Sequence, residues 1–157
     1  MNYFTGSSQM NKKISAGGIV ACQNKILFIR KKGKWDFPKG KLENFDTLKK
    51  AAVREISEET GLNKERLEII SKLAVTNSDK FFRKFKKEIV WFEVRYNGEL
   101  HDKLIPDFKE GIDKCMWLNI NSKKILDFNF KKRVFELLMI KNNHKNVIKT
   151  DLQERFF

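Results

Sequence analysis

The sequence predicts a single domain of the α/β class, built from short strands and at least one helix that packs on them. The chain has 157 residues, a length that suits one domain with its own hydrophobic core. Hydrophobic residues make up 41% of the chain and charged residues 34%, which is typical of a globular protein and not of a disordered one. Strand-like runs and helix-periodic segments both occur, and no internal repeat marks a second domain.

The first predicted elements are two strands, at residues 14–21 and 25–31. The Gln-Asn pair at residues 23–24 predicts a hairpin turn between them. The two glycines at residues 17–18, inside the first strand, predict a bulge or a close approach of another backbone. Residues 33–44 contain a proline and a glycine after the second strand, and they predict a loop that ends the strand pattern.

The next predicted element is a helix at residues 47–60, which no proline or glycine interrupts. Asp46 is the predicted N-cap, and Gly61 stands where a helix of this length ends. Three apolar residues share one face of this helix and predict that it packs on a sheet: Ala52, Val53 and Ile56.

The rest of the chain predicts strands at residues 67–75, 89–96 and 116–118, followed by a second helix at residues 130–141. Trp117 lies in the last of these strands and has two interpretations. A tryptophan in an apolar strand is more often a core side chain, and the alternative is a ring that stacks on a nucleobase.

The domain is predicted to span residues 13–142, between a polar, flexible arm at residues 1–12 and a tail at residues 143–157 that no pattern assigns to a structure. The arm lacks the apolar centre of a secretory signal, and no segment approaches the ~20 apolar residues of a membrane span. Cys22 and Cys115 match no metal or redox spacing and predict two buried thiols in a reducing cytoplasm. We therefore expect a cytoplasmic protein without a membrane partner.

The formal net charge of the chain is +13. Such an excess indicates a polyanionic partner, which is nucleic acid, an acidic membrane or a small phosphorylated compound. Most of the basic residues are lysines, in a sequence also rich in Asn, Ile and Phe, and this profile is typical of AT-biased coding sequences. Compositional drift therefore explains part of the excess, and charge alone does not choose a partner.

The acidic residues of the predicted helix are the most informative. Glu55, Glu58 and Glu59 share one face of the helix, because positions i, i+3 and i+4 fall within about a third of its circumference. That face is offset from the apolar one, so all three carboxylates are predicted to face solvent, and Arg54 can brace one of them. Hard oxygen ligands of this kind suit Mg²⁺ or Mn²⁺, and a solvated acidic patch is the alternative.

The loop before the helix favours the metal interpretation. Residues 35–43 (WDFPKGKLE) combine a glycine, which lets backbone approach a ligand closely, with Lys39 and Lys41, which can hold phosphate. Basic groups for phosphate beside acids for a divalent cation are what hydrolysis of a phosphoanhydride requires.

Residues 40–62 (GKLENFDTLKKAAVREISEETGL) resemble the Nudix box, which is Gly, five residues, Glu, seven residues, then Arg-Glu-apolar-x-Glu-Glu-x-Gly-apolar. The sequence departs from this pattern at Asp46, which keeps the charge of the first Glu on a side chain one methylene shorter. Residues 16–30, 35–41 and 110–118 resemble the family less specifically. The matching positions of the box are Gly40, Arg54, Glu55, Ile56, Glu58, Glu59, Gly61 and Leu62.

The resemblance implies an α/β/α sandwich with a mixed sheet between helices, and hydrolysis of a nucleoside diphosphate linked to another group. It implies that Glu58 and Glu59 are the main metal ligands, that Glu55 is a further ligand or the base, and that Gly40 contributes its carbonyl. Arg54 would organise these acids. The branches that the chain resembles are the MutT-like enzymes, which act on nucleoside triphosphates, and those that act on dinucleoside polyphosphates or diphosphoinositol phosphates.

Three candidate residues lie outside the box. Glu110 stands where some Nudix enzymes carry an additional catalytic or metal-binding acid, and an ordinary loop carboxylate is the alternative. Arg30 is a candidate phosphate contact, as is either Lys86 or its neighbour Lys87, and a surface cation is the alternative in each case. Lys86 belongs to residues 80–87, a run that interleaves basic side chains with phenylalanines.

These observations predict a Mg²⁺- or Mn²⁺-dependent Nudix pyrophosphohydrolase that acts on a small phosphorylated substrate, a nucleoside or dinucleoside polyphosphate. The alternative is a Nudix-fold protein that binds a nucleotide or RNA without hydrolysing it. Nucleic acid is the less favoured partner, because the acids gather on one helix with lysines before it. A homodimer is an expectation from the resemblance alone.

Overall fold

The structure, a computed structural model, describes residues 12–78 and 86–119. Within these residues it contains seven strands, one α-helix and two 3₁₀ helices. In chain order they are β1 (Lys13–Cys22), β2 (Lys25–Lys31), β3 (Lys34–Asp36), β4 (Lys39–Lys41), α1 (Leu48–Thr60), a 3₁₀ helix (Lys64–Arg66), β5 (Leu67–Ser78), β6 (Lys87–Tyr96), a second 3₁₀ helix (Phe108–Glu110) and β7 (Ile112–Asn119). Some predictions fall wholly or mostly outside the described residues: the arm at 1–12, the basic-aromatic run at 80–87, the helix at 130–141 and the tail at 143–157.

The strands form one mixed sheet in the order β3-β2-β1-β6-β5, with β4 also paired to β1 and β7 to β2. β1 and β6 are parallel over a register that runs from Lys13–Lys87 to Ala21–Arg95, and the other described pairs are antiparallel. The predicted mixed sheet is therefore confirmed. Since parallel strands start at the same edge of a sheet, the first residues of β1 and β6 lie side by side.

The predicted hairpin and the predicted close approach at the glycines are both observed. β1 and β2 pair at Cys22 and Lys25 across a two-residue turn. A Cβ atom on Gly17 would lie 2.5 Å from the backbone oxygen of Pro38 and 2.9 Å from Lys39 Cα, so a glycine here lets the backbone of the neighbouring segment come close. The β1–β6 register continues without a shift through this part of β1, which excludes a bulge.

The prediction of a loop without strands at residues 33–44 is wrong. β3 pairs with β2, and β4 pairs with β1, where Gly40 lies opposite Ala16. Strands of three residues are too short to show an alternating pattern, so their pairing partners and not their own side chains define them. Two other strands were predicted too short, since β5 continues to Ser78 and β7 begins at Ile112.

The N-terminus of α1 also differs from the prediction. The N-cap is Thr47 and not Asp46, because the Thr47 hydroxyl accepts a hydrogen bond from the Lys50 N–H at 3.2 Å. The Asp46 carboxylate instead accepts a hydrogen bond from Arg54 at 3.1 Å. The predicted C-terminus is confirmed, since Gly61 caps the helix in the left-handed region with φ of 75°.

The core has two parts, one on each face of the sheet. Ala52 and Ile56 of α1 are buried on one face, as predicted, while Val53 is only partly buried. Trp117 packs on the same cluster and stacks with Tyr96 at 6.2 Å between ring centroids, so its interpretation as a core side chain is the one that the structure supports. The cluster on the opposite face comprises Ile19, Ile26, Phe28, Phe37, Ile89 and Trp91.

Within the described residues, none of the helices has the length and apolar character needed to cross a membrane. Both cysteines are free thiols; Cys22 is buried as the sequence predicts, whereas Cys115 is only partly buried.

Candidate active site

A cavity of about 460 Å³ lies between β4, α1 and the second 3₁₀ helix, beside the starting ends of β1 and β6. Six acidic and five basic residues line it, so it is rich in acid for a chain whose formal net charge is +13. The lining residues are Ser15, Lys31, Lys39, Gly40, Lys41, Glu43, Arg54, Glu55, Glu58, Glu59, Lys87, Asp107 and Glu110.

The three helix carboxylates reach the cavity to very different degrees. The side chain of Glu58 is 55% exposed, that of Glu55 is 14% exposed and that of Glu59 is 3% exposed. The prediction that all three face solvent is therefore wrong for Glu59. β4 covers this part of the helix, and the Lys39 N–H donates a hydrogen bond of 2.9 Å to Glu59 Oε2.

Gly40 lies directly against the carboxylate of Glu55. A Cβ atom at this position would lie 1.9 Å from both Cδ and Oε2 of Glu55. Because no side chain can occupy this space, a glycine in β4 is what allows the backbone to approach the acid.

Arg54 connects several acids at and beside the cavity. Its guanidinium donates hydrogen bonds to Glu55 at 2.8 Å, to Asp46 at 3.1 Å and to Glu58 at 3.4 Å. It also donates to the backbone carbonyl of Lys41 at 2.9 Å, which ties the end of β4 to α1. One planar guanidinium with five N–H groups can hold several acceptors at once, so Arg54 orients the carboxylates relative to one another.

Burial makes the charged form of two acids unfavourable. It raises the pKa of Glu59 from 4.5 to about 7, although the hydrogen bond from the Lys39 backbone acts in the opposite direction. Burial also raises the pKa of Glu55, against the effect of its hydrogen bond with Arg54. Both carboxylates therefore have less neutralising charge around them than their burial requires.

These residues fit a hard divalent cation. The side chains that surround the buried Glu59 offer oxygen donors, and a cation would supply the charge that Glu55 and Glu59 lack. Across residues 12–78 and 86–119, no three His, Cys, Asp or Glu side chains already converge as metal ligands. The hydrogen bonds of Arg54 to Glu55 and Glu58 account for this, because they direct two of the carboxylates towards the guanidinium.

A family model described as the NUDIX domain matches residues 12–138. The chain belongs to the Nudix family. Among curated proteins, the 8-oxo-dGTP diphosphatase of Escherichia coli (strain K12) is 30% identical over 126 residues, which are 76% of this chain and 89% of that protein. The RNA pyrophosphohydrolase of Bartonella tribocorum is 28% identical over 120 residues, which are 65% of this chain and 66% of that protein. These matches confirm the predicted family and a hydrolase that acts on diphosphate bonds.

Solved structures of Nudix proteins share the fold. The binary complex of the C. elegans Ap4A hydrolase superposes with a TM-score of 0.68 at 17% identity, over 84% of this chain and 98% of that chain. The MutT protein of Methanosarcina mazei Go1 superposes with a TM-score of 0.67 at 21% identity, over 87% of this chain and 99% of that chain. Likeness at this level of identity concerns the fold alone, and it confirms the predicted α/β class.

The structure brings most of the predicted Nudix site residues together and leaves two outside. Lys39, Lys41 and Glu110 line the cavity with the box residues. Arg30 does not, because its guanidinium makes two hydrogen bonds of 2.9 Å to Asp113 and lies 5.8 Å from the ring centroid of Trp35. Lys86 is exposed outside the cavity, and the next residue, Lys87, lines it instead.

Several residues of the cavity could not be identified from the sequence, and one of them, Lys31, makes ion pairs with two acids. Lys31 follows Arg30 at the end of β2, and the alternation of side chains along a strand sends the two to different places. The alternation alone predicts that Arg30 and Lys31 point in different directions. Which of the two points into the cavity depends on how β2 pairs with its neighbours. Ser15, Glu43 and Asp107 also line the cavity and carry no motif that identifies them.

We expect Gly40→Ala to reduce activity strongly while the fold persists. The added Cβ atom would lie 1.9 Å from the Glu55 carboxylate, so Glu55 has to move. Displacement of a reacting group by about 1 Å can cost about 10²-fold in rate, and we expect a loss of kcat/KM of that order. Steady-state kinetics with thermal melting tests this. The double variant Gly40→Ala/Glu55→Asp, whose shorter acid relieves the clash, is expected to recover melting temperature but not rate. Wild-type activity in Gly40→Ala would show that Glu55 tolerates displacement.

Proposed function

We propose that this Nudix protein is a Mg²⁺-dependent pyrophosphohydrolase of nucleoside or dinucleoside polyphosphates. The observation that carries the proposal is the cavity itself, where the buried carboxylate of Glu59 and the partly buried carboxylate of Glu55 lie beside several lysines. Hydrolysis of a phosphoanhydride needs carboxylates that hold a divalent cation and basic groups that hold the phosphates. This cavity offers both kinds of group.

Glu55, Glu58 and Glu59 would hold the divalent cation, with the carbonyl of Gly40 as a further oxygen donor. Mg²⁺ suits these ligands and Mn²⁺ is the close substitute. Such an ion, when bound, supplies Lewis-acid polarisation of a phosphoryl oxygen.

The remaining chemistry belongs to groups of the chain. Water attacks a phosphorus atom of the bridging diphosphate, the bond from that phosphorus to the bridging oxygen breaks, and the electron pair leaves with the departing phosphate. Glu55 accepts the proton of the attacking water, because its carboxylate is held at the cavity by the hydrogen bond from Arg54. Arg54 keeps Glu55 oriented, and Lys39 and Lys41 hold the phosphates that do not react.

The substrate proposal rests on the distribution of charge. Lys31, Lys39, Lys41 and Lys87 line the same cavity as the acids, which suits a compact polyphosphate whose negative charge is concentrated. A nucleic acid duplex would need an extended basic surface, whereas six acidic residues line this cavity. Small nucleotides are therefore the favoured substrates.

The experiment is a turnover panel with Mg²⁺ or Mn²⁺ and three kinds of substrate. It includes nucleoside triphosphates with 8-oxo-dGTP, dinucleoside polyphosphates with Ap4A, and RNA with a 5′-triphosphate, each with an EDTA control. We expect metal-dependent release of phosphate, pyrophosphate or mononucleotide from a small nucleotide. Preferential turnover of the RNA would overturn the preference for small nucleotides and keep the hydrolase.

The alternative is a protein that binds nucleotides or RNA without hydrolysis. It would be supported if no member of the panel releases product while calorimetry still detects binding of one of them. The intact carboxylates at Glu55, Glu58 and Glu59 favour the enzyme.

A further inference from the structure

The side chain of Lys31 enters the cavity at the end of β2, where alternation along the strand directs it away from the side that Arg30 occupies. The register between β2 and β7 shifts between Arg30 and Lys31, where β2 ends. Arg30 is held outside the cavity by Asp113, while the ammonium of Lys31 lies over the acidic side of the cavity. The long-range pairing of two strands, and not the helix of the Nudix box, therefore places this cation.

Lys31 bridges two acids from different elements. Its Nζ atom lies 3.3 Å from Glu110 Oε2 on the second 3₁₀ helix and 3.7 Å from Glu59 Oε1 on α1. Only the first contact is short enough to be a hydrogen bond. The two acids differ in burial, since the side chain of Glu59 is 3% exposed and that of Glu110 is 64% exposed.

Glu59 depends on Lys31 for neutralising charge. In the part of the chain that the structure describes, Lys31 is the one cationic side chain within 4.0 Å of the Glu59 carboxylate. Lys39 contributes its backbone N–H to Glu59, but the ammonium of Lys39 is paired with Asp36. The charges of Lys39 and Lys31 both lower the pKa of Glu59, and the contact of 3.7 Å to Lys31 is the one that a cationic side chain makes at close range.

We propose that Lys31 is an internal counter-cation for Glu59, which a divalent metal ion displaces, and that its ammonium then contacts the phosphates of the substrate. This inference rests on the proposed function, because it assigns Lys31 a role in the same site. Two cations cannot share one carboxylate at close range without repulsion, and the doubly charged ion attracts the carboxylate more strongly. The Lys31 ammonium can move away from Glu59, because its four-carbon stem is flexible and its side chain is 32% exposed.

Glu110 defines where the displaced ammonium remains. Its hydrogen bond to Lys31 does not involve Glu59, so Lys31 can leave the metal ligand and stay at the edge of the cavity. From there the Lys31 ammonium contacts the phosphates of the substrate. Its positive charge becomes available to them only when the metal ion has neutralised the acids. Glu110 accordingly acts through Lys31 in this scheme, which gives the predicted loop acid a defined purpose.

The test compares wild type, Lys31→Met and Lys34→Met as full-length chains. Lys34 is exposed on β3 outside the cavity, so its variant removes the same charge without touching Glu59. Calorimetry with Mg²⁺ and no substrate should give a dissociation constant about fivefold lower for Lys31→Met than for wild type, and a change below about twofold for Lys34→Met. In EDTA, Lys31→Met should melt at a lower temperature than Lys34→Met, and Mg²⁺ should remove the difference.

Kinetics supply the third readout. With the substrate that the panel identifies, Lys31→Met should raise KM about tenfold at saturating Mg²⁺, with a smaller change in kcat. Equal Mg²⁺ affinity in the two variants, when wild type binds Mg²⁺, overturns the displacement and leaves the proposed function intact. Absence of both Mg²⁺ binding and turnover in wild type overturns the proposed function and the displacement together.

Discussion

Glu58→Gln should lose Mg²⁺-dependent hydrolysis while its fold and stability stay close to those of wild type. Glu58 is the most exposed of the three helix carboxylates, with 55% of its side chain accessible, and its described contact is the hydrogen bond of 3.4 Å from Arg54. Loss of a charged ligand for the cation removes several kcal/mol of transition-state stabilisation, so we expect kcat/KM to fall by about 10³-fold. The melting temperature should change by less than about 2 °C, because no buried contact is lost.

A matched control separates the effect of losing a cavity residue from the effect of losing one negative charge. Glu65→Gln makes the same chemical change on the first 3₁₀ helix, where the side chain is exposed and lies outside the cavity. We expect this variant to keep wild-type kinetics. If Glu58→Gln turns over substrate as fast as Glu65→Gln, then Glu58 is neither a metal ligand nor a catalytic residue, and the proposed mechanism fails.

Glu59→Gln should also be inactive, but the metal-free protein should become more stable. The Glu59 carboxylate is almost completely buried, and burial raises its pKa from 4.5 to about 7. A carboxylate whose pKa is raised by folding stabilises the fold most at low pH, and this contribution falls as the pH rises from about 4.5 to about 7. Above that range the charged form costs up to about 3 kcal/mol, which a neutral glutamine of the same shape avoids.

Thermal melting in EDTA over a pH series tests this result. Wild type and Glu59→Gln should melt at similar temperatures near pH 4.5, and the variant should melt about 5 °C higher at pH 8. With saturating Mg²⁺ the order should reverse at pH 8, because binding to the folded state stabilises wild type and not the variant. A variant that is less stable than wild type in EDTA at pH 8 would mean that Lys31 and Lys39 already compensate the buried charge.

The Nudix site shows which parts of a function can be predicted from local sequence. Gly40, Arg54, Glu55, Glu58 and Glu59 lie within one strand, its following loop and one helix. The spacing of residues on a helix fixes how their side chains are arranged around it, so the shared acidic face could be predicted without a structure. Local patterns also predicted the first hairpin and the C-terminal cap at Gly61, because turns and caps depend on a few adjacent residues.

Predictions that depended on the surroundings of a residue were less accurate. Glu59 was expected to face solvent, but β4 covers it, and β4 has three residues whose pattern could not be recognised. Asp46 was expected to cap the helix, but Arg54, eight residues further on, holds its carboxylate and leaves the cap to Thr47. In each case a contact between separate segments decided between two locally acceptable arrangements.

The sequence by itself determined the family, the α/β class and the acids of the box, because a contiguous stretch of 23 residues carries them and the helical repeat orders them. Only the tertiary structure decided which cations join those acids. The pairing of β2 with β7 places Asp113 beside Arg30 and leaves Lys31 facing the cavity, and the parallel pairing of β1 with β6 brings Lys87 to the cavity and leaves Lys86 outside. Such choices follow from contacts between residues far apart in the chain, and no local repeat encodes them. The same contacts decide how deeply Glu59 is buried and how strongly it needs a cation.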